Sequence, residues 1–251
     1  MTYCVALKVD AGVVMLSDTR TNAGVDHVSR YRKSFTWQIP GERSICLMTA
    51  GNLSITQAIV TRIGEALRRA DVGEDVETIL NARSMFRVVQ IVGELMDEMQ
   101  ARHRPNLLSQ GVGADATVLV TGQRKGGGHR AFMVYSPGNF IEATIDTPFL
   151  QAGEFKYGKP ILDRVVTRDM SIPDAVKAVF LSMDSTVRSN LSVGMPLDLV
   201  VLPVDTQEFS LLRRVNETDT DWTAVSKGWG EALRACYGSL PDVDMLGAAS
   251  D

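Results

Sequence analysis

Cysteine and histidine are scarce in this sequence, at three each in 251 residues. Cys4, Cys46 and Cys236 lie far apart, so neither a disulfide framework nor a paired C-x-x-C zinc site is expected. Two of them sit in apolar strand-like runs and read as buried thiols. His27, His103 and His129 are isolated in turn or helix-end contexts. They lack metal-ligand spacing and read as surface or turn histidines, so no metal and no cofactor is expected. Basic charge is not in excess either. Lysine and arginine total 26 against 30 acidic residues, for a net charge of -4. That argues against nucleic acid as a partner and gives no reason to expect an anionic membrane surface. No uncharged run is long enough to span a membrane. The first apolar run is broken by Lys8 and Asp10, with no basic leader before it. A reduced, cytoplasmic setting is the expectation. The common catalytic signatures are missing too: G-x-S-x-G, H-E-x-x-H and G-x-x-x-x-G-K-S/T do not occur. "GVGADATVL", from Gly111, precedes a strand instead of a helix, and "KGGGH" reads as a hairpin turn, so neither reads as a phosphate loop.

What is present is an ordinary globular composition, 45% hydrophobic and 22% charged, long enough to bury a substantial core. No composition shift marks a linker and no repeat recurs, so one domain over residues 1–251 is expected. The pattern predicts strands at about 3–9 and 13–17, divided by "DAG", and at 34–39 and 44–49, divided by "PGE". Helical spacing follows over about 53–69, with Ile55, Ile59 and Ile63 on one stripe. A second helix is predicted over about 76–103, with Leu80, Val88, Val92, Leu95 and Met99 inward and Asp75 as its cap. Strands are predicted at 116–121, 130–135 and 140–145, then helices at 158–168 and from "SIPDA" to about 184. A last strand pair at 197–204 and 208–215 precedes a helix over about 221–236. The acidic, turn-rich tail from about 238 is expected to be mobile. Helices grouped between blocks of antiparallel strands suit an α+β fold with two sheets face to face and helices outside.

The candidate chemistry starts at Thr2. A threonine hydroxyl is a poor nucleophile unless a base takes its proton, and a free α-amine on the same residue can serve. That amine ordinarily titrates at about 7.7–8.0, so part of it is neutral near pH 7. The mechanism requires Met1 to be removed, and the small Thr2 permits that. Taken alone, Thr2 is only a common residue after methionine. In "SDTRTNAG", Asp18 and Arg20 fall on the same side of an extended chain. Lys33 comes next, among basic neighbours, at the start of the following strand. "MTAGN" then puts Gly51 at a strand-to-helix junction, where a backbone N–H can face an oxyanion.

This set, in this order, resembles the proteasome-type N-terminal threonine peptidases, which comprise proteasome β subunits and the bacterial ATP-dependent peptidase HslV. "SDTRTNAGVDH", "AGEFKYGKPILDR" and "SMDSTVRSNLSVGMPLDL" are similar more narrowly to the Anbu (ancestral beta subunit) branch. The resemblance implies a four-layer αββα sandwich of the N-terminal-nucleophile hydrolase class. It implies Thr2 as nucleophile, Asp18 and Lys33 as the charged pair beside it, and Gly51 as the oxyanion donor. Arg20 matches the arginine of the D-x-R motif, Asn22 a substrate-binding position, and Thr21, Thr49 and Leu53 the surroundings of the S1 pocket. Departures are Glu154 in a turn that is glycine/serine-rich in the family, and no clean D-x-x-S-G. Asp184, Ser189 or Ser192 could each supply part of that supporting motif. The resemblance further implies peptide substrates, homo-oligomeric rings or ring-like stacks, and an ATP-dependent unfoldase that could feed the chamber. Two other readings stand beside the peptidase: a small-molecule amidase or acyltransferase of the same class, and a catalytically silent assembly subunit.

Overall fold

The run YCVALKV is apolar at both phases of a strand, so a sheet built on it must be covered on both sides. The structure is a computed structural model that describes residues 2–23 and 27–241, with the backbone alone at Asn22, Ala23, His27 and Val28. In it, β1 (Tyr3–Val9) and β2 (Gly12–Asp18) form an antiparallel hairpin across the expected turn. Tyr3, Val5 and Leu7 enter one core, while Cys4 and Ala6 enter another, as side chains alternating along a strand must.

A short ribbon follows, β3 (Arg20–Ala23) with β4 (His27–Arg30), and then β5 (Ser34–Ile39) with β6 (Arg43–Gly51). Two helices come next, α1 (Leu53–Asp71) and α2 (Met85–Ser109). Then come β7 (Ala116–Arg124), β8 (Arg130–Val134), β9 (Phe140–Glu142) and β10 (Phe149–Gly153). The chain ends with α3 (Lys159–Val165), α4 (Ile172–Ser189), β11 (Leu197–Pro203), β12 (Leu211–Val215) and α5 (Thr220–Ser239). Two five-stranded antiparallel sheets result, in the orders β10-β1-β2-β11-β12 and β5-β6-β7-β8-β9.

Three cores fill the spaces around these sheets. Tyr3, Leu16 and Leu199 of the first sheet pack with Val179 and Met183 of α4 and Trp222 of α5. Ile45, Leu47 and Val120 of the second pack with Ile55 and Ile59 of α1 and Val88 and Val92 of α2. Met15, Leu202, Met48 and Leu119 bring the two sheets together in the third. Each such side chain, buried fully, stabilises the fold by roughly 1.5–3 kcal/mol. Among the described residues, no helix is long and apolar enough to cross a membrane.

Several boundaries differ from those read in the sequence. The second helix starts at Met85, not near residue 76, and its cap is Ser84, whose hydroxyl accepts from the Arg87 N–H at 3.0 Å. Asp75 caps nothing. Between the helices, Thr78 Oγ1 accepts from the Leu80 and Asn81 amides, and Asn81 Oδ1 accepts from the Thr78 amide. Such local bonds compete with a helix. The buried Arg43 guanidinium completes the arrangement by donating to the Ile79 and Ala82 carbonyls at 3.2 and 2.9 Å. At its other end α2 continues through Pro105 to Ser109, where the missing donor faces an exposed Ala101. Three strands, β3, β4 and β10, were not expected. The helices beginning near 158 and 171 run as α3 to Val165 and α4 to Ser189. The last helix extends to Ser239, into the expected tail, and the rest of that tail, from residue 242, lies outside the described residues. Cys4 and Cys46 are buried, free thiols and Cys236 is exposed.

Candidate active site

Thr2 precedes β1 and is 6% exposed. Its carbonyl accepts from the Glu154 amide at 2.7 Å. The end of β10 brings Glu154 there, because Tyr3 lies opposite Gly153, the last residue of that strand, in the β1–β10 register. Gly153 has φ +86°, and a Cβ there would stand 1.9 Å from the Thr2 carbonyl oxygen. Only glycine allows so close an approach in that conformation. The next residue is anchored as firmly. The Tyr3 hydroxyl pairs with Ser182 Oγ at 2.6 Å and accepts from Gln151 Nε2 at 2.5 Å.

The end of β2 brings Asp18 beside this strand. Its Oδ1 accepts from the Tyr3 amide at 3.1 Å and from Lys33 Nζ at 2.8 Å, and its Oδ2 accepts from the Gly194 amide at 3.2 Å. Asp18 is fully buried and Lys33 is 3% exposed. Burial pushes the Asp18 carboxyl upward, and the Lys33 charge and hydrogen bond pull it back. Three donors on two oxygens make the ionised carboxylate the better-bonded form. Lys33 Nζ also donates to the Arg20 carbonyl. Lys33 itself is fixed through its backbone, since its carbonyl accepts from the Thr49 amide at 2.9 Å.

Arg20 turns the other way. It donates to the Leu191 carbonyl at 3.0 Å, and its guanidinium lies against Gly194. The 191–194 segment is thus held by Arg20 and by Asp18 together. Gly51 ends β6 with φ +96°, and a Cβ there would strike the Asp115 carbonyl at 2.3 Å. Asn52 follows and caps α1, its side chain accepting from Ser54 and Ile55 amides. Leu53 is the first helical residue. Thr49 is buried in β6, and its hydroxyl reaches the Lys33 carbonyl at 3.4 Å. Thr21 lies in β3 opposite Ser29, with a buried hydroxyl that has no partner among the described residues. Asn22 lies in β3, and its side chain is outside the described residues.

The three alternatives for the supporting motif fall elsewhere. Asp184 accepts from Arg188 Nε at 2.9 Å and Ser226 Oγ at 2.7 Å, which ties α4 to α5. Ser189 is the exposed last residue of α4. Ser192 gives both its amide and its hydroxyl to Asn190 Oδ1. None of the three is bonded to Asp18 or Lys33. Gly194 is the residue of that segment that reaches Asp18, and it does so through its backbone. A side-chain motif search cannot find such a contact. Histidine takes no part among the described residues. His129 makes a 2.8 Å bond to the Val9 carbonyl, and burial pushes its imidazole down. No group of metal-ligating side chains occurs among the described residues.

No protein-family model matches the sequence, and no curated protein matches it. Solved structures do. An Anbu (ancestral beta-subunit) structure from Yersinia bercovieri is 41% identical over 97% of this chain and 99% of its own, with a TM-score of 0.88. An Anbu (Gly-1) mutant from Hyphomicrobium sp. strain MC1 is 43% identical, covers 97% and 100%, and has a TM-score of 0.89. A structure described as the helical assembly of the Anbu complex from Pseudomonas aeruginosa is 41% identical, covers 97% and 98%, and has a TM-score of 0.89.

Proposed function

Because the chain belongs to the Anbu (ancestral beta-subunit) family, we propose that it is a threonine-type peptidase that hydrolyses peptide bonds within a homo-oligomer. Thr2 is the nucleophile once Met1 has been removed. The observation that carries this reading is the buried Lys33–Asp18 pair, tied by the Tyr3 amide to the strand that follows Thr2. The two sheets with helical cores on their outer faces support a four-layer αββα sandwich of the N-terminal-nucleophile class, formed by one domain. The helical assembly described for a relative supports oligomerisation.

The Thr2 amine is the better base. Lys33 Nζ is already engaged as a donor to a carboxylate and to a carbonyl, which leaves the amine to take the proton. The amine takes the proton of Oγ1 as Oγ1 attacks the scissile carbonyl carbon. Lys33 stabilises the developing negative charge on Oγ1, and the Gly51 N–H that on the carbonyl oxygen. The C–N bond then breaks and the leaving amine takes the proton back. Water attacks the resulting ester, passes its proton to the amine, and releases the acid with Thr2 restored. By the family resemblance, Thr21, Thr49 and Leu53 belong to the surroundings of the S1 pocket and Asn22 to a substrate-binding position. No cofactor is needed.

Intact mass tests the premise, since a retained Met1 leaves Thr2 without a free amine and leaves the assembly-subunit role standing. With Met1 absent, a β-lactone or epoxyketone should modify residue 2, and Thr2→Ala should abolish peptide turnover with an unchanged circular dichroism spectrum. Retention of most of the turnover in Thr2→Ala would sink the assignment. Turnover of small amides but not of a peptide library would point to the amidase reading.

A further inference from the structure

Four arginines, Arg30, Arg32, Arg213 and Arg214, face one cavity of about 450 Å³ in which Asp198 is the acidic residue of the wall. Two of the four are neutralised from within the fold. Arg214 grips both carboxylate oxygens of Asp198 at 2.9 and 3.1 Å. Arg213 bonds Asp219 and Asp221 at the start of α5, at 2.5 and 2.8 Å. Arg30 and Arg32 form no ion pair among the described residues. Arg32 gives its Nε–H to the Ser34 carbonyl at 2.6 Å and lies 5.7 Å from the Phe35 ring centroid. Its two amino nitrogens are left over. Both residues are exposed, so a solute can reach them.

The chain as a whole carries a charge of -4, which makes a concentration of unpaired cations here a local feature. Like charges crowded at one cavity repel, and an anion between them removes that repulsion. The shape of the donors narrows the anion. A guanidinium is a planar fork that matches two oxygens at once. Two free forks therefore suit a ligand with at least three oxygens and more than one negative charge. A lone carboxylate offers two oxygens and one charge, which a single fork satisfies. We propose that this cavity is a phosphate-binding site, with Arg30 and Arg32 as the primary ligands and Arg213 and Arg214 behind them.

The position of the site matters because its wall is also the carrier of Lys33. The Tyr31 amide donates to the Thr19 carbonyl at 2.9 Å, and the Lys33 carbonyl accepts from the Thr49 amide at 2.9 Å. Arg32 and Lys33 are adjacent and face opposite ways, one exposed at the cavity and the other buried on Asp18. A phosphate group held by Arg30 and Arg32 therefore restrains the segment from which Lys33 reaches Asp18. The binding site stands whether or not Thr2 is a nucleophile.

Calorimetric titration of the full-length, assembled protein tests it, in chloride buffer of matched ionic strength. Orthophosphate and tripolyphosphate are the two probes. Saturable binding of at least one is expected, weakened about tenfold or more in R30Q/R32Q and unchanged in R62Q/R68Q, which neutralises two arginines of α1. Tighter binding of tripolyphosphate identifies a phosphate chain as the ligand type, and equal binding identifies a single phosphate group. R30Q alone, at an exposed strand end, serves if the double variant melts early. Non-saturating heats for both probes, or wild-type binding by the folded arginine variants, would overturn the proposal.

Discussion

The Tyr3 amide donates to Asp18 Oδ1 at 3.1 Å, and Lys33 Nζ donates to that same oxygen at 2.8 Å. One buried carboxylate oxygen thus links the backbone of the strand that follows Thr2 to the ammonium proposed to act on Thr2. Replacing Asp18 by Asn keeps an acceptor for Tyr3 and removes the charge that balances Lys33. Breaking a buried ion pair in this way costs about 3–5 kcal/mol. Asp18→Asn should therefore lower the melting midpoint by several degrees and abolish turnover. Asp18→Asn/Lys33→Met should melt closer to the wild type than the two single losses added together. Melting curves at one fixed protomer concentration measure both; strict additivity would contradict the coupling.

Gly153 offers a contrast between conformation and contact. Gly153→Ala places a Cβ 1.9 Å from the Thr2 carbonyl oxygen, whereas Gly41, at φ +69°, has nothing within 4 Å of the same added atom. Both alanines bear a left-handed backbone penalty of about 1–2 kcal/mol. Only Gly153→Ala should displace Thr2. Turnover should collapse in Gly153→Ala and persist in Gly41→Ala, while circular dichroism shows both folded.

Arg43 is the side chain that fixes the link between α1 and α2. Arg43→Met removes its bonds to the Ile79 and Ala82 carbonyls and leaves those acceptors without it, at about 1–3 kcal/mol for each buried group stranded. Amide exchange should quicken selectively over residues 76–84. Protection unchanged there would show that the local Thr78 and Asn81 bonds suffice.

His129 sets a pH response. Burial pushes its imidazole below the ordinary value, which is about 6.5. The unfolded chain then binds this proton more readily than the folded one. Stability contributed by neutral His129 is complete above about 6.5 and is lost as pH falls through the lower folded value. The wild type should lose more of its melting temperature between pH 7.5 and 5.0 than His129→Gln does. Parallel pH profiles for the two proteins would remove His129 as the cause.

How much of this could be read in advance differs from one residue to another. Thr2 alone reads as a common residue after methionine and Asp18 alone as a surface carboxylate; their order with Lys33 and the family resemblance single them out, and the structure joins Asp18 to Lys33 in a buried pair. The position of Gly51 between a strand and a helix was legible from the change of period. Gly194 was not, because it contributes a backbone N–H, and every residue but proline carries one. β10 was missed because five residues between turns carry too little periodicity, although it is the strand that places Gly153 on Thr2. The false start of α2 came from Leu80 continuing a helical stripe. Thr78, Asn81 and the distant Arg43 overrule that stripe, and only the last of these contacts is invisible to local pattern. Asp184 suggested a supporting acid, yet Arg188, one helical turn on, already accounts for half of its bonding.

Asp18 also accepts from Gly194, which lies 176 residues further along the chain. During synthesis the ribosome delivers the first strands long before that glycine exists. Until the second half of the chain has emerged and β11 has settled against β2, the carboxylate lacks one of its three donors. The surroundings of Asp18 are therefore drawn from both ends of the chain, and a nascent chain that stops short of Gly194 carries this carboxylate with its bonding incomplete.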